Sequence, residues 1–181
     1  MTCCPDLATD VGVEEAHAIL EPYFVAAQEV FEAGEVRLGL PREVRRVHLD
    51  IRDDAHDTPR HFGGCTEDGR LIAAAPEMVE LPEQVILAIF LHELGHAIDF
   101  LHPGKFMLID GELDVFPERD GTLYQKMIEA RYRQWQRRSK DAVEITADKI
   151  AELFSGHRIG YQGPCRLQHL DQGVPRPKGL R

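Results

Sequence analysis

An apolar run that leads directly into three ionisable side chains constrains this chain more than any other feature. Residues 85–91 read Val-Ile-Leu-Ala-Ile-Phe-Leu, and residues 92–96 read His-Glu-Leu-Gly-His. Such a run predicts a buried helix from about residue 82 to His102, where Pro103 and Gly104 end it. Ionisable groups inside a buried helix are costly to remove from water unless they are paired or bind a metal. The segment therefore predicts a polar site within the fold.

The two histidines of this segment are spaced to bind one ion. On a helix, His92 and His96 lie about 40° apart around the axis and about 6 Å apart along it. Zinc binds imidazole nitrogen, prefers four ligands and keeps one position for water in a catalytic site. Glu93 lies about 100° around the helix from His92, where it can take a proton from that water rather than bind the metal. A His-x-x-x-His pair alone is more often a surface or core feature, but the glutamate and the apolar run favour a zinc site.

A third ligand has two candidates, of which the first is His102. Its spacing from His92 is that of metzincins, but that family has a glycine where this chain has Asp99, and the glycine lets the backbone turn back to the metal. Without that break, His102 lies about 120° around the helix from His96 and about 9 Å further along. It therefore cannot reach the same ion.

The second candidate, Glu144, is favoured. It begins the sequence Glu-Ile-Thr-Ala-Asp at 144–148, and Ala147 and Ala151 lie near it on one helix face, where small side chains allow a close approach. Asp148 lies one turn further, where it can accept a hydrogen bond from a ligand histidine and fix its tautomer. Two other interpretations stay open: a capping box formed by Glu144 with Asp141, or a solvated acidic stripe.

Taken together, the segments at 92–99 and 144–148 resemble the gluzincins, thermolysin-like zinc peptidases that pair a His-Glu-x-x-His helix with a glutamate on a later helix. The first segment is similar to the active-site helix of anthrax-lethal-factor-type and ImmA/IrrE-like peptidase domains. The second is similar to the Glu-x-x-Ala-Asp element of the CAAX-protease type. The resemblance implies one catalytic Zn²⁺ ion and a protein or peptide substrate.

The resemblance also implies roles for individual residues. Glu93 is the expected general base, and the expected metal ligands are His92, His96 and Glu144. Asp148 and Asp99 are expected to support the ligands from outside the metal's own shell. Members of the family also supply a histidine or tyrosine that stabilises the oxyanion, for which the candidates here are His157, Tyr161 and His169.

The order of elements predicts an α+β, zincin-like fold in a single domain spanning residues 1–181. We expect a small antiparallel sheet, the active-site helix and a third-ligand helix. Asp68-Gly69 predicts a hairpin, whose second strand, Arg70–Ala75, is the expected edge at which a peptide substrate adds. The other expected elements are a helix at 13–33 that Pro22 either kinks or divides, a strand at 47–51, a turn-rich segment at 103–121, a helix opened by a capping box at 122–125, a helix at 141–154 and an irregular basic tail at 156–181.

Composition narrows the partners and the location. The formal net charge of −10 disfavours nucleic acid as a partner. Five basic residues between 131 and 140 allow a local anion-binding patch, although a solvated helix face is favoured. We expect no membrane span and a cytoplasmic location, because neither an apolar stretch of ~18 residues nor a secretory signal is evident. The four cysteines form no disulfide framework.

The predicted function is a zinc-dependent metalloendopeptidase that hydrolyses peptide bonds with a zinc-activated water and Glu93 as general base. One alternative is a zinc-binding regulatory or interaction module of zincin fold with little proteolytic activity. Others are a metzincin-like site that uses His102, and a self-processing protein whose tail brings the Cys165 thiolate to the metal. The presence of Glu93 argues against a merely structural site, which needs no base.

Overall fold

A computed structural model of the chain describes residues 9–53, 62–117 and 119–159. Over these residues the protein is α+β, as predicted, with four α-helices and two small sheets. The elements in chain order are α1 (Val13–Leu38), β1 (His48–Ile51), β2 (Gly63–Cys65), β3 (Leu71–Ala74), α2 (Glu83–Leu101), β4 (Phe106–Ile109), β5 (Glu112–Val115), α3 (Thr122–Trp135) and α4 (Lys140–Ser155). Two short 3₁₀ helices, Val44–Arg46 and Pro76–Glu80, precede β1 and α2.

Helix α2 is the centre of the fold. Every residue from Ile86 to Asp99 is buried, and α1, α4, β2 and β3 all pack against the helix. A helix that is apolar on all sides has to be enclosed in this way. The predicted helix from about 82 to His102 is therefore confirmed, and the His-Glu-Leu-Gly-His segment lies in its buried part.

By length and composition alone, α2 could also cross a membrane. The mean hydropathy over an 18-residue window of this helix is 1.4. In the folded protein, however, 78% of that window is buried, and a core helix passes the same test.

Helix α1 covers one side of α2 as a single helix. Pro22 lies within it and does not divide it. Leu20, Phe24 and Phe31 are buried on the face towards the core, where the ring of Phe24 meets Phe90 edge-on at 5.7 Å. The helix ends at Gly39, whose φ of 68° is the left-handed conformation typical of a glycine after a helix.

The three-stranded sheet differs from the prediction in two ways. Its strand order is β1-β3-β2, and β1 pairs with β3 in parallel, so the sheet is mixed rather than antiparallel. The predicted edge strand, Arg70–Ala75, contains β3, which is central, and β2 lies at an edge instead. The centre belongs to the strand with side chains to bury, since Ile72 and Ala74 are fully buried whereas β2 begins Gly63-Gly64. The hairpin at Asp68-Gly69 is confirmed, and Gly69 has a φ of 69°.

The turn-rich segment that follows α2 contains a second, two-stranded sheet that was not predicted. Strands β4 and β5 pair in an antiparallel hairpin, with Ile109 opposite Glu112. Asp110 and Gly111 form its two-residue turn with φ values of 51° and 84°, as a type I′ turn requires. Phe106 is fully buried against the core.

Helices α3 and α4 also depart from the prediction in detail. Gly121 precedes α3 without a side-chain cap, so the capping box at 122–125 does not form. Tyr124 is the buried residue of this largely exposed helix.

Ser139 caps α4, its hydroxyl accepting a hydrogen bond from the Ala142 N–H. Ile159, within the predicted irregular tail, is fully buried. The rest of that tail, 160–181, lies outside the described residues.

Candidate metal centre

The centre exists because α2 and α4 approach each other very closely. A Cβ atom added to Gly95 would lie 2.3 Å from the carbonyl oxygen of Ala147, far inside van der Waals contact. Position 95 of α2 therefore has to be glycine for the two helices to lie this close together. Ala147 and Ala151, both fully buried, supply the small side chains on α4. The close packing brings the Glu144 carboxylate to the two histidines of α2.

Three ligand atoms from these helices converge on one point. The Nε2 atoms of His92 and His96 are 3.1 Å apart, and they lie 3.3 and 3.5 Å, respectively, from Oε2 of Glu144. A tetrahedral zinc ion with bonds of 2.0–2.1 Å requires ligand atoms separated by about 3.3–3.4 Å. The three observed distances bracket that value. The group can therefore hold a metal ion.

The tautomer of His92 is fixed by a buried hydrogen bond. Its Nδ1 lies 2.7 Å from Oδ1 of Asp148, one turn beyond Glu144 on α4. Because a carboxylate only accepts, Nδ1 donates its proton to Asp148, so in the neutral ring the lone pair lies on Nε2 and faces the other two ligand atoms. The hydrogen bond predicted for Asp148 is thus present.

Charges around the group change two pKa values in the metal-free protein. Burial lowers the pKa of His92, but the hydrogen bonds to Asp148 and Glu144 outweigh it and raise this pKa to about 9. Burial also raises the pKa of Glu144, but the hydrogen bonds to His92 and His96 hold it well below its usual value. The three atoms together attract positive charge, whether a proton or a metal ion.

The ligand atoms open into a cleft of about 400 Å³. The cleft is lined by β2 and Glu67, and by Lys140 and Val143 at the start of α4. Glu93 also lines it, is only 5% exposed, and is not one of the three ligands. Gly63 is its neighbour, since a Cβ there would lie 3.7 Å from Cγ of Glu93, at ordinary van der Waals distance. A carboxylate without a ligand role thus lines the cleft beside the ligand atoms of His92, His96 and Glu144.

No family model, curated protein or solved structure matches this chain.

His102 does not belong to the centre. Its Nε2 lies 2.9 Å from Oε1 of Glu35 on α1, and both side chains are buried. The same carboxylate accepts hydrogen bonds from the backbone N–H groups of Glu43 and Val44. His102 thus joins the end of α2 to α1, in agreement with the helical geometry that excludes it as a ligand.

Asp99, the other expected supporting residue, makes different contacts. It accepts hydrogen bonds from Nε1 of Trp135 at 2.9 Å and from Nη2 of Arg138 at 2.5 Å. Burial raises its pKa, and Arg138 opposes that change. No hydrogen bond connects Asp99 to either ligand histidine. Its contacts hold the end of α3 and the turn that follows against α2.

The three oxyanion candidates lie away from the centre or outside the described residues. His157 follows the end of α4 and is not among the residues that line the cleft. Tyr161 and His169 are not described, and neither is Cys165. Within the described cleft lining, Lys140 is the one lysine or arginine.

Sequence reasoning missed several residues of the cleft wall, namely Gly63, Gly64, Cys65, Phe100 and Lys140. The Gly63-Gly64 pair carried a usable signal, since glycine within a strand often marks a place where a ligand or another backbone comes close. Burial, together with the charges of Glu93 and Asp68, raises the pKa of the Cys65 thiol. The thiol therefore stays neutral beside Glu93.

Proposed function

We propose that this chain is a zinc-dependent peptidase with a gluzincin-type centre in a zincin-like fold. The proposal rests on the position of Glu93 in the cleft. A structural zinc site is closed by four protein ligands, whereas a catalytic site has three and an open position. Here three ligand atoms converge beside a cleft, and the carboxylate of Glu93 lies in that cleft without a ligand role. Regulatory or structural metal binding gives no reason for that group.

His92, His96 and Glu144 would hold the metal. Nε2 lone pairs and one carboxylate oxygen are a donor set that suits zinc, and their separations match its tetrahedral geometry. When bound there, zinc supplies Lewis-acid activation of a water molecule and of the substrate carbonyl. Asp148 keeps the His92 ring in the orientation and tautomer that such binding needs.

Glu93 performs the proton transfers in this proposal. Its carboxylate accepts a proton from the attacking water and then donates it to the nitrogen of the leaving amine, so one group acts as base and then as acid. Its position in the partly enclosed cleft limits competing solvation by bulk water.

Strand β2 is the element at which a peptide substrate would bind. Among the described strands it pairs with β3 alone, and Gly63, Gly64 and Cys65 line the cleft next to Glu93. An extended peptide can add to such an edge through backbone hydrogen bonds. Two adjacent glycines leave the strand bare of side chains, so the backbone of a substrate can come close.

The test compares Glu93→Gln with wild-type protein and with the control Glu67→Gln, which changes a carboxylate at the rim of the same cleft. Hydrolysis is followed by mass spectrometry on a peptide mixture, with and without a chelator, and bound metal by elemental analysis. We expect wild-type and control proteins to cleave, chelation to stop cleavage and added zinc to restore it. Glu93→Gln should keep its metal and lose about 10²–10⁴-fold in rate. Metal-loaded wild-type protein that cleaves no peptide would contradict the proposal.

A further inference from the structure

A second pocket, separate from the metal cleft, is lined by arginine. It has a volume of about 450 Å³ and lies where the C-terminal end of α3, the start of α4 and strand β4 meet. Arg133, Arg137 and Arg138 are its charged lining residues, and no carboxylate lines it. Met107 and Leu108 of β4 give it an apolar wall. Its size is that of a pocket for a small organic molecule rather than for a single water.

Arg138 is the buried part of this pocket. Its side chain is 8% exposed, and the guanidinium lies over the Trp135 ring at 5.0 Å. Nε donates to the Trp135 carbonyl at 3.0 Å and Nη2 to Asp99 at 2.5 Å. Nη1 is buried and has no hydrogen-bond partner among the residues that the structure describes. Buried polar atoms almost always have a partner, so this atom can take an acceptor from outside the described residues.

The two exposed arginines of the pocket carry positive charges that no described side chain pairs with. The side chains of Arg133 and Arg137 form no ion pair or hydrogen bond with any described residue, unlike Arg131, which pairs with Asp114 at 2.8 Å. Among the described residues, Asp99 is the one carboxylate that forms an ion pair with a guanidinium group of the pocket, that of Arg138. Because the two exposed side chains hold no partner, they can move to admit a ligand without breaking a contact of their own.

We propose that this pocket binds an oxyanion group, a carboxylate or a phosphate, carried on a small organic ligand. Guanidinium presents its N–H groups in a planar fork that matches the oxygens of either anion. The anion would pair with Arg133 and Arg137, a shift of the pocket wall would let it reach the covered Nη1 of Arg138, and Met107 and Leu108 would contact the apolar part of the ligand. The basic cluster is then a binding site and not only a solvated helix face. The proposal does not depend on peptidase activity.

The test titrates the full-length chain by calorimetry with inorganic phosphate, phenyl phosphate and benzoate. The pocket variant is Arg133→Gln with Arg137→Gln, and its matched control is Arg42→Gln with Arg45→Gln, which removes the same charge from arginines that pair with Glu32 elsewhere. We expect one saturable site in wild-type and control proteins, with at least tenfold weaker binding in the pocket variant. Whichever of phenyl phosphate and benzoate binds more tightly identifies the anion.

Two results would overturn the proposal. One is the absence of saturable binding of all three probes, and the other is an equal loss of binding in the pocket variant and the control, which indicates only non-specific attraction of anions. Arg138→Lys gives an independent check, since it keeps the charge towards Asp99 but removes the fork. If circular dichroism shows that this variant is folded, its affinity should fall at least tenfold, and unchanged affinity would also overturn the proposal.

Discussion

Oδ1 of Asp148 lies 2.7 Å from Nδ1 of His92, on the side of the ring opposite the other two ligand atoms. The bond crosses between α4 and α2, and both side chains are buried. Since it determines which nitrogen of the neutral His92 ring faces the other two ligand atoms, Asp148 would influence the binding of a metal that it does not contact. Glu144 and Asp148 thus act as a pair, one turn apart on the same helix.

Asp148→Asn is expected to weaken zinc binding about 10–100-fold while the protein stays folded. The amide is the same size but carries no charge, so it polarises the imidazole less and can present N–H₂ instead of oxygen to Nδ1. Competition with a chromophoric chelator measures the affinity. Asp141→Asn, an exposed position in the first turn of the same helix, is the control and should not change it. Equal affinities in all three proteins would show that the hydrogen bond has no such role.

Gly95→Ala is expected to destabilise the protein and to weaken metal binding. Alanine would normally favour a helix by about 1 kcal/mol over glycine, but here its Cβ would meet the backbone of Ala147 at 2.3 Å. Backbone cannot rotate away, so α2 and α4 must separate, at a cost of roughly 1–3 kcal/mol beyond that gain. Chemical denaturation measures the first effect and chelator competition the second. Gly12→Ala, where nothing lies within 4 Å, is the control, and a more stable Gly95→Ala protein would contradict the prediction.

The central helix and its two histidines could be predicted because both depend on spacing within a single helix. The apolar run before His92 and the four-residue interval to His96 are local features, and the structure confirms the helix that they predict. Glu144 could be predicted for a related reason, since the alanines near it indicated a helix face that packs closely. The helical geometry that excluded His102 was equally local, but its partner Glu35 lies 67 residues away and has no local signal.

Features that depend on distant pairing could not be predicted in this way. Which of β2 and β3 is central depends on where β1 joins the sheet, and no pattern within β1 specifies a parallel partner. The hairpin of β4 and β5 is different, because Asp110-Gly111 is a strong turn signal that was overlooked among other turn residues. In α3, Met127 and Tyr132 have helical spacing but stay exposed, since no described element covers that face.

Zinc affinity is expected to rise with pH up to about 9. With a histidine of ordinary pKa, the rise would end at a lower pH. In the metal-free protein the pKa of His92 is raised from 6.5 to about 9 by Asp148 and Glu144, against the effect of burial. Below that pH the site holds a proton that zinc must displace, so affinity should fall by about tenfold per pH unit below 9. Without metal, the stabilising contribution of protonated His92 is complete below pH 6.5 and is lost as the pH rises through 9.

Chelator competition between pH 6 and 9.5 measures this dependence, and chemical denaturation of metal-free protein measures the stability. In Asp148→Asn the pKa of His92 should move towards its ordinary value, so the rise in affinity should end at a lower pH. An affinity that is already constant above pH 7 in wild-type protein would contradict the prediction.

Glu144→Ala is expected to change mainly the metal content, and His102→Ala mainly the stability. Glu144→Ala removes one of three ligand atoms, so zinc occupancy after dialysis should fall sharply, while the partly exposed position limits the effect on folding. His102→Ala leaves the ligand group intact but removes a buried partner of Glu35, which should lower the free energy of unfolding by about 1–3 kcal/mol. Elemental analysis and chemical denaturation of the same samples give both quantities. Loss of zinc from folded His102→Ala protein would place His102 in the metal site, contrary to its contact with Glu35.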